Sequence, residues 1–90
     1  MLYKLYIGSN NTTKKLEDKK AIAIVAKTFD GFTVIKNVSG YWKGLAEKSM
    51  VIEIDTTEKT KVLEVANILK IELKQQAIGL SESQAMEFIG

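Results

Sequence analysis

The chain predicts an α+β, ferredoxin-like fold built in the order β-α-β-β-α-β. Three observations predict it. The hydrophobic period switches from two residues to about 3.6 and back again, twice along the chain. Both helical segments carry one apolar stripe, and two such stripes need a shared sheet face to cover them. At 90 residues the chain is sized for a single domain, residues 1–90.

The first strand is "LYKLYI" at 2–7, where Tyr3, Leu5 and Ile7 alternate against Lys4 and the pattern stops at Gly8-Ser9-Asn10-Asn11. From Thr13 to Thr28 the spacing becomes helical, with Ile22, Val25, Ala26 and Phe29 on one stripe and Thr12 or Thr13 placed to cap it. Asp30-Gly31 breaks that helix and opens a second strand, "FTVIKNV", which leads into a turn where Gly40 and Gly44 frame Trp42. Met50, Ile52 and Ile54 then alternate against Val51, Glu53 and Asp55 as a third strand. Asp55 and Glu58 have the spacing of a capping pair for a second helix over 58–75. Its core stripe is Val62, Val65, Ala66, Leu69 and Leu73, with Ile68 and Ile71 on a further flank. "QAIGL" at 76–80 reads as the fourth strand, Ser81-Glu82-Ser83 as a turn, and "AMEFI" at 85–89 as a short terminal strand or extension.

Composition bounds the chemistry. Hydrophobic residues at 46% and charged residues at 27% are values of a folded domain rather than a disordered chain. Cys, His, Pro and Arg are all absent. Without Cys and His there is no disulfide, thiolate nucleophile, zinc-thiolate site or histidine-based triad, so no metal or cofactor is expected. Every one of the 13 basic residues is Lys. Lacking the planar guanidinium fork, the chain has no means of reading guanine edges in duplex DNA, and a net charge of +2 is too small for a dedicated nucleic-acid binder. No stretch approaches the length of a membrane span and the N-terminus lacks a signal-peptide pattern, so the reading is a complete cytoplasmic protein with no membrane partner. Asn10-Asn11-Thr12 and Asn37-Val38-Ser39 match the glycosylation sequon by chance on this reading.

Four short segments carry a resemblance. "FDGFTV" at 29–34, "GYW" at 40–42, "EKS" at 47–49 and "QQAI" at 75–78 resemble, in order and spacing, the pattern of a family of small uncharacterised bacterial proteins. That pattern runs F-P-D-G-[LF]-T-V, G-x-W, E-x-S and Q-x-[SA]-[VI]. The proline before the aspartate is missing here, and Lys stands where Arg is common. The resemblance implies a ferredoxin-like fold and marks positions. It transfers no reaction.

Two stretches are candidate sites. In the first, Tyr41, Trp42 and Lys43 form one wall of a ligand pocket whose polar groups are Glu47 and Ser49, an aromatic surface with a few convergent polar groups. The competing reading makes Trp42 a purely structural cover that closes the hairpin. In the second, Ser9, Asn10, Asn11, Thr12, Lys14 and Lys15 form a polar loop from strand to helix, where free amides, the helix dipole and two lysines can hold an anion. A second glycine of a phosphate-binding loop is lacking, and the lysines equally form a solvated face. Asp30, Glu47, Glu53 and Asp55 show no paired-carboxylate spacing, and no catalytic residue is assigned.

Ile68, Ile71, Met86, Phe88 and Ile89 exceed what one helix stripe and one sheet face bury, which points to self-association, a homodimer first. The leading functional reading is a non-enzymatic, oligomeric module binding a small anionic ligand such as a nucleotide. The second is an interaction or inhibitor protein, for example a phage-encoded antagonist of a host defence protein or signal. The third is a small ferredoxin-like enzyme, which would need to dispense with His and Arg.

Overall fold

The computed structural model describes residues 1–83. It contains β1 (Leu2–Ile7), α1 (Asp18–Ala26), β2 (Thr33–Trp42), β3 (Leu45–Asp55), α2 (Lys59–Glu72) and β4 (Gly79–Ser83). The four strands form one antiparallel sheet in the order β2-β3-β1-β4, the ferredoxin-like arrangement. The segment 85–89, with Met86, Phe88 and Ile89, lies outside the described residues.

One face of the sheet makes the core. Register pairs Tyr3 with Ile54, Leu5 with Ile52 and Ile7 with Met50, so six alternating side chains share one face. All six are buried, against Ala21, Val25 and Phe29 from the first helical segment and Val62, Val65, Leu69 and Leu73 from the second. Full burial of each large aliphatic among them contributes about 1.5–3 kcal/mol.

Local chemistry moves several boundaries from the sequence reading. The first helix begins at Asp18, not Thr13, and no side chain caps it. Residues 10–15 instead close on themselves. Asn10 Oδ1 accepts from the amides of Thr12 and Thr13, the Asn10 amide donates to the Lys15 carbonyl, and Lys14 takes a left-handed φ of 63° that ends any helix there. The helix therefore turns Ala21 inward and leaves Ala26 exposed. The Asp55–Glu58 cap does not form either. Asp55 faces the N-terminal ammonium at 3.4 Å, while the Glu58 amide donates to Thr56 Oγ1.

The hairpin also differs. Gly40 and Trp42 belong to β2, and the turn is Lys43-Gly44 alone, with φ of 52° and 78°. Positive φ at both positions of a two-residue loop is the type I′ geometry that matches strand twist. In β2, Ile35 opposes Val51 but Val38 opposes Ser49, leaving Lys36 and Asn37 against Met50 as a bulge, with Asn37 left-handed at 59°. The fourth strand is Gly79–Ser83 rather than 76–80, so Ser81-Glu82-Ser83 is strand, not turn. It is an edge strand whose ladder runs only to β1, and there polar side chains carry no penalty.

Candidate functional site

The β2–β3 hairpin outruns β1. Ile7 is the last β1 residue in register, opposite Met50, while β3 extends back to Leu45. At that step the sheet face turned away from the helices bears a groove of about 400 Å³. Tyr6, Val38, Val51, Glu47 and Ser49 line it, with the 75–79 segment along one side.

Glycine makes the depth. A Cβ on Gly8 would collide with the Glu47 carboxylate, and one on Gly40 would meet Ser49 Oγ at 2.5 Å. The two polar side chains therefore lie across bare backbone. Glu47 is directly opposite Gly40 in the ladder, so both carboxylate and hydroxyl project from the same face of β3. Both are half-buried, and neither has a side-chain hydrogen bond or ion pair among the described residues. The neighbouring polar groups behave differently. Ser9 Oγ donates to the Lys48 carbonyl at 2.8 Å, and Gln75 accepts from the Gly8 amide through Oε1 while its Nε2 donates to the Ser9 carbonyl at 2.7 Å. These contacts fix the exit of β1 against the C-terminus of α2.

Of the five residues expected around the first site, the structure brings Tyr41, Glu47 and Ser49 to this groove. Lys43 sits in the hairpin turn and is not among the groove's lining. Trp42 ends β2, and its side chain lies outside the described part of the structure.

The loop after β1 borders a second groove of about 630 Å³ lined by Ser9, Asn11, Lys14, Lys15, Glu47 and Lys48, among others. Its backbone does not present the expected amide cradle. The amides of Thr12 and Thr13 go to Asn10 Oδ1, that of Lys14 to the Asn10 carbonyl and that of Lys15 to Thr13 Oγ1. Helix α1 starts further along, at Asp18, so residues 12–15 do not form its first turn. Ser9 and Asn10 are buried and engaged, Asn10 donating also to Glu17 at 3.3 Å. What remains for an anion is side-chain charge: Lys14, Lys15 and Lys48, none of which has an ion pair among the described residues. Glu47 and Asn11 line both grooves, but by strand alternation Lys48 points to the helix side of β3 with Met50, while Glu47 and Ser49 point to the opposite face.

Sequence reasoning did not find Tyr6, Lys48 or Gln75, and it placed Gly8 at the head of the anion-binding loop rather than under Glu47. Tyr6 was legible only as an outer strand position, and Lys48 as a middle residue of "EKS". Gln75 had one signal, its place in the "QQAI" segment of the resemblance.

No family model matches the chain, and no curated protein matches it. Among the described residues no helix is long and apolar enough to cross a membrane, and no group of acidic side chains is arranged to hold a metal ion.

Proposed function

We propose that the protein is a non-enzymatic module that binds a small ligand in the groove on the open sheet face and works as an oligomer. The observation that carries this reading is the pair Glu47 and Ser49, two half-buried polar side chains laid over glycine backbone with no partner among the described residues. Both side chains are already held in place and committed to no protein group, so a ligand that bonds them pays little to order them. The lining mixes apolar surface from Tyr6, Val38 and Val51 with those few polar groups, the make-up of a small-molecule site. The only support for an anionic ligand is the cluster Lys14, Lys15 and Lys48 in the second groove, since the first is lined by Glu47 and no lysine. Self-association is supported by Leu63, Ile68 and Ile71, which α2 leaves 48%, 45% and 64% exposed.

Native mass spectrometry of the protein isolated gently from its source cells tests both parts. The expected spectrum shows a dimer or higher oligomer carrying a small molecule that the Glu47→Gln protein, folded and of equal oligomeric state, lacks. A bare monomer in both preparations overturns the reading.

A second reading, an interaction or inhibitor protein such as an antagonist of a host defence factor, is favoured by one feature. The hairpin tip exposes Tyr41 at 76% and Leu45 at 74%, large apolar side chains on a projecting arm. Capture of a host macromolecule by the wild-type protein, lost in Leu45→Ser and retained in Glu47→Gln, would favour it over the first.

A further inference from the structure

We infer that the groove on the open sheet face takes a small organic amine, its ammonium head on Glu47 and Ser49 and its apolar body along Tyr6, Val38 and Val51. The inference rests on this groove being a ligand site and fixes the charge of the ligand as positive. The lysines of the second groove have no part in it.

Strand alternation sets the composition of this face. Glu47, Ser49 and Val51 occupy every second position of β3, on the side away from Met50, Ile52 and Ile54. Tyr6 pairs with Val51 and Val38 with Ser49 in the two ladders, so both join that side. Lys48 lies on the helix side with Met50, and Lys14 and Lys15 border only the second groove. The single lysine of β1, Lys4, does reach the open face, where Glu53 holds it at 3.6 Å. The groove is therefore lined by one carboxylate and no lysine.

The polar end of the groove is built to accept. A carboxylate has acceptor oxygens and no hydrogen to give, and a hydroxyl adds two lone pairs. The Glu47 carboxylate leans toward Gly8 at the exit of β1, while Ser49 Oγ leans the other way, toward Gly40 in β2. Neither has a side-chain partner among the described residues. A primary ammonium, with three donors and no acceptor, complements both groups. A phosphate or carboxylate ligand brings only acceptors and meets the Glu47 charge with no lysine in the lining to offset it. A neutral hydroxyl can bond either group but forgoes the charge-assisted contact, the stronger kind. The remaining wall is apolar, and the half-exposed ring of Tyr6 is a surface that attracts cations as well as covering apolar atoms. At about 400 Å³ the groove has the size of a small-ligand site.

The test titrates the ¹⁵N-labelled full chain at low salt, separately, with phenethylamine, its uncharged isostere phenethyl alcohol, and phenylacetate. The amine is expected to shift the amides of Gly8, Gly40, Ser49 and Gly79 saturably. It should bind roughly tenfold or more tighter than the alcohol, the difference made by one charge-assisted hydrogen bond. Phenylacetate should leave those amides unmoved. Added salt should weaken the amine and spare the alcohol. Glu47→Gln should bring the amine down to the affinity of the alcohol and leave the alcohol unchanged, whereas a merely structural role for Glu47 would weaken both alike. Equal binding of amine and alcohol, a preference for phenylacetate, or shifts that avoid the groove overturns the inference. If a natural molecule retained by wild type and lost in Glu47→Gln carries no cationic nitrogen, the charge assignment fails and the ligand site stands. If neither the probes nor a natural molecule bind, both fail.

Discussion

The Glu47 carboxylate lies against the Cα of Gly8, in the space a side chain at position 8 would occupy. Gly8 has no left-handed φ to require glycine, so the requirement is this contact alone. Gly8→Ala should fold normally, with a melting temperature within a few degrees of wild type, because the displaced group is the end of a flexible side chain. Ligand affinity should fall about tenfold to a hundredfold, the loss of one charge-assisted hydrogen bond. Calorimetric titration of both proteins checks this. Unchanged affinity would detach Glu47 from binding.

Gln75 joins two segments far apart in sequence, bonding the Gly8 amide at 3.2 Å and the Ser9 carbonyl at 2.7 Å. Gln75→Leu leaves both backbone groups without that partner in a part-buried place and should cost about 2–4 kcal/mol in urea unfolding. Gln75→Glu keeps the acceptor for Gly8 but cannot donate to Ser9 when ionised, so its cost should be intermediate or greater. A loss below about 0.5 kcal/mol in Gln75→Leu would show that water substitutes for the amide.

The fold was readable where physics acts over many residues. Alternation fixed the inward faces of β1 and β3, and the stripe Val62, Val65, Leu69 and Leu73 emerged as the buried face of α2. Legibility failed where one side chain overrides a pattern. Asn10 gathers two amides and delays the helix to Asp18, and Asn37 accepts a left-handed φ that inserts a bulge. An edge strand can be as polar as Ser81-Glu82-Ser83, because Tyr3 and Lys4 supply its backbone partners whatever the side chains are. At the site, Glu47 and Ser49 were legible through their closeness to Gly40. Gly8 and Gln75 were not, since pairing across the sheet and the loop bond from α2 have no local trace.

Lys74 holds the left-handed position after α2, φ 52°, where glycine is usual. The Gln75 amide reaches the Lys70 carbonyl at 2.9 Å and that of Lys74 the Ile71 carbonyl at 3.3 Å, the Schellman pattern. Lys74→Gly should relieve the strain of a side chain in that conformation and stabilise the protein by about 1 kcal/mol in thermal or urea unfolding. A destabilised Lys74→Gly protein would mean that the lysine side chain contributes more than the strain costs.

Asp18, in the first turn of α1, sits 3.1 Å from Lys36 of β2. That hydrogen bond, with the Lys19 amide, holds its carboxyl below the usual carboxylate value of 3.8. A lowered folded pKa contributes stability above the unfolded value and loses it as pH falls through the folded one. Lys36→Met should therefore be less stable than wild type at pH 7, by a small amount befitting an exposed pair, with the gap closing as pH falls below the usual carboxylate value of 3.8 and on through the lowered folded one. A gap that stays constant down to pH 2 would exclude the ion pair as its cause.

The most direct test of the groove as a binding site is a ¹H–¹⁵N correlation spectrum of the labelled protein, recorded with and without a small-molecule extract of its source cells. Saturable shifts at Gly8, Gly40, Ser49 and Gly79, absent in Glu47→Gln, are the predicted result. Shifts confined to the exposed flank of α2 around Leu63 and Ile71, or identical spectra for wild type and Glu47→Gln, would contradict it.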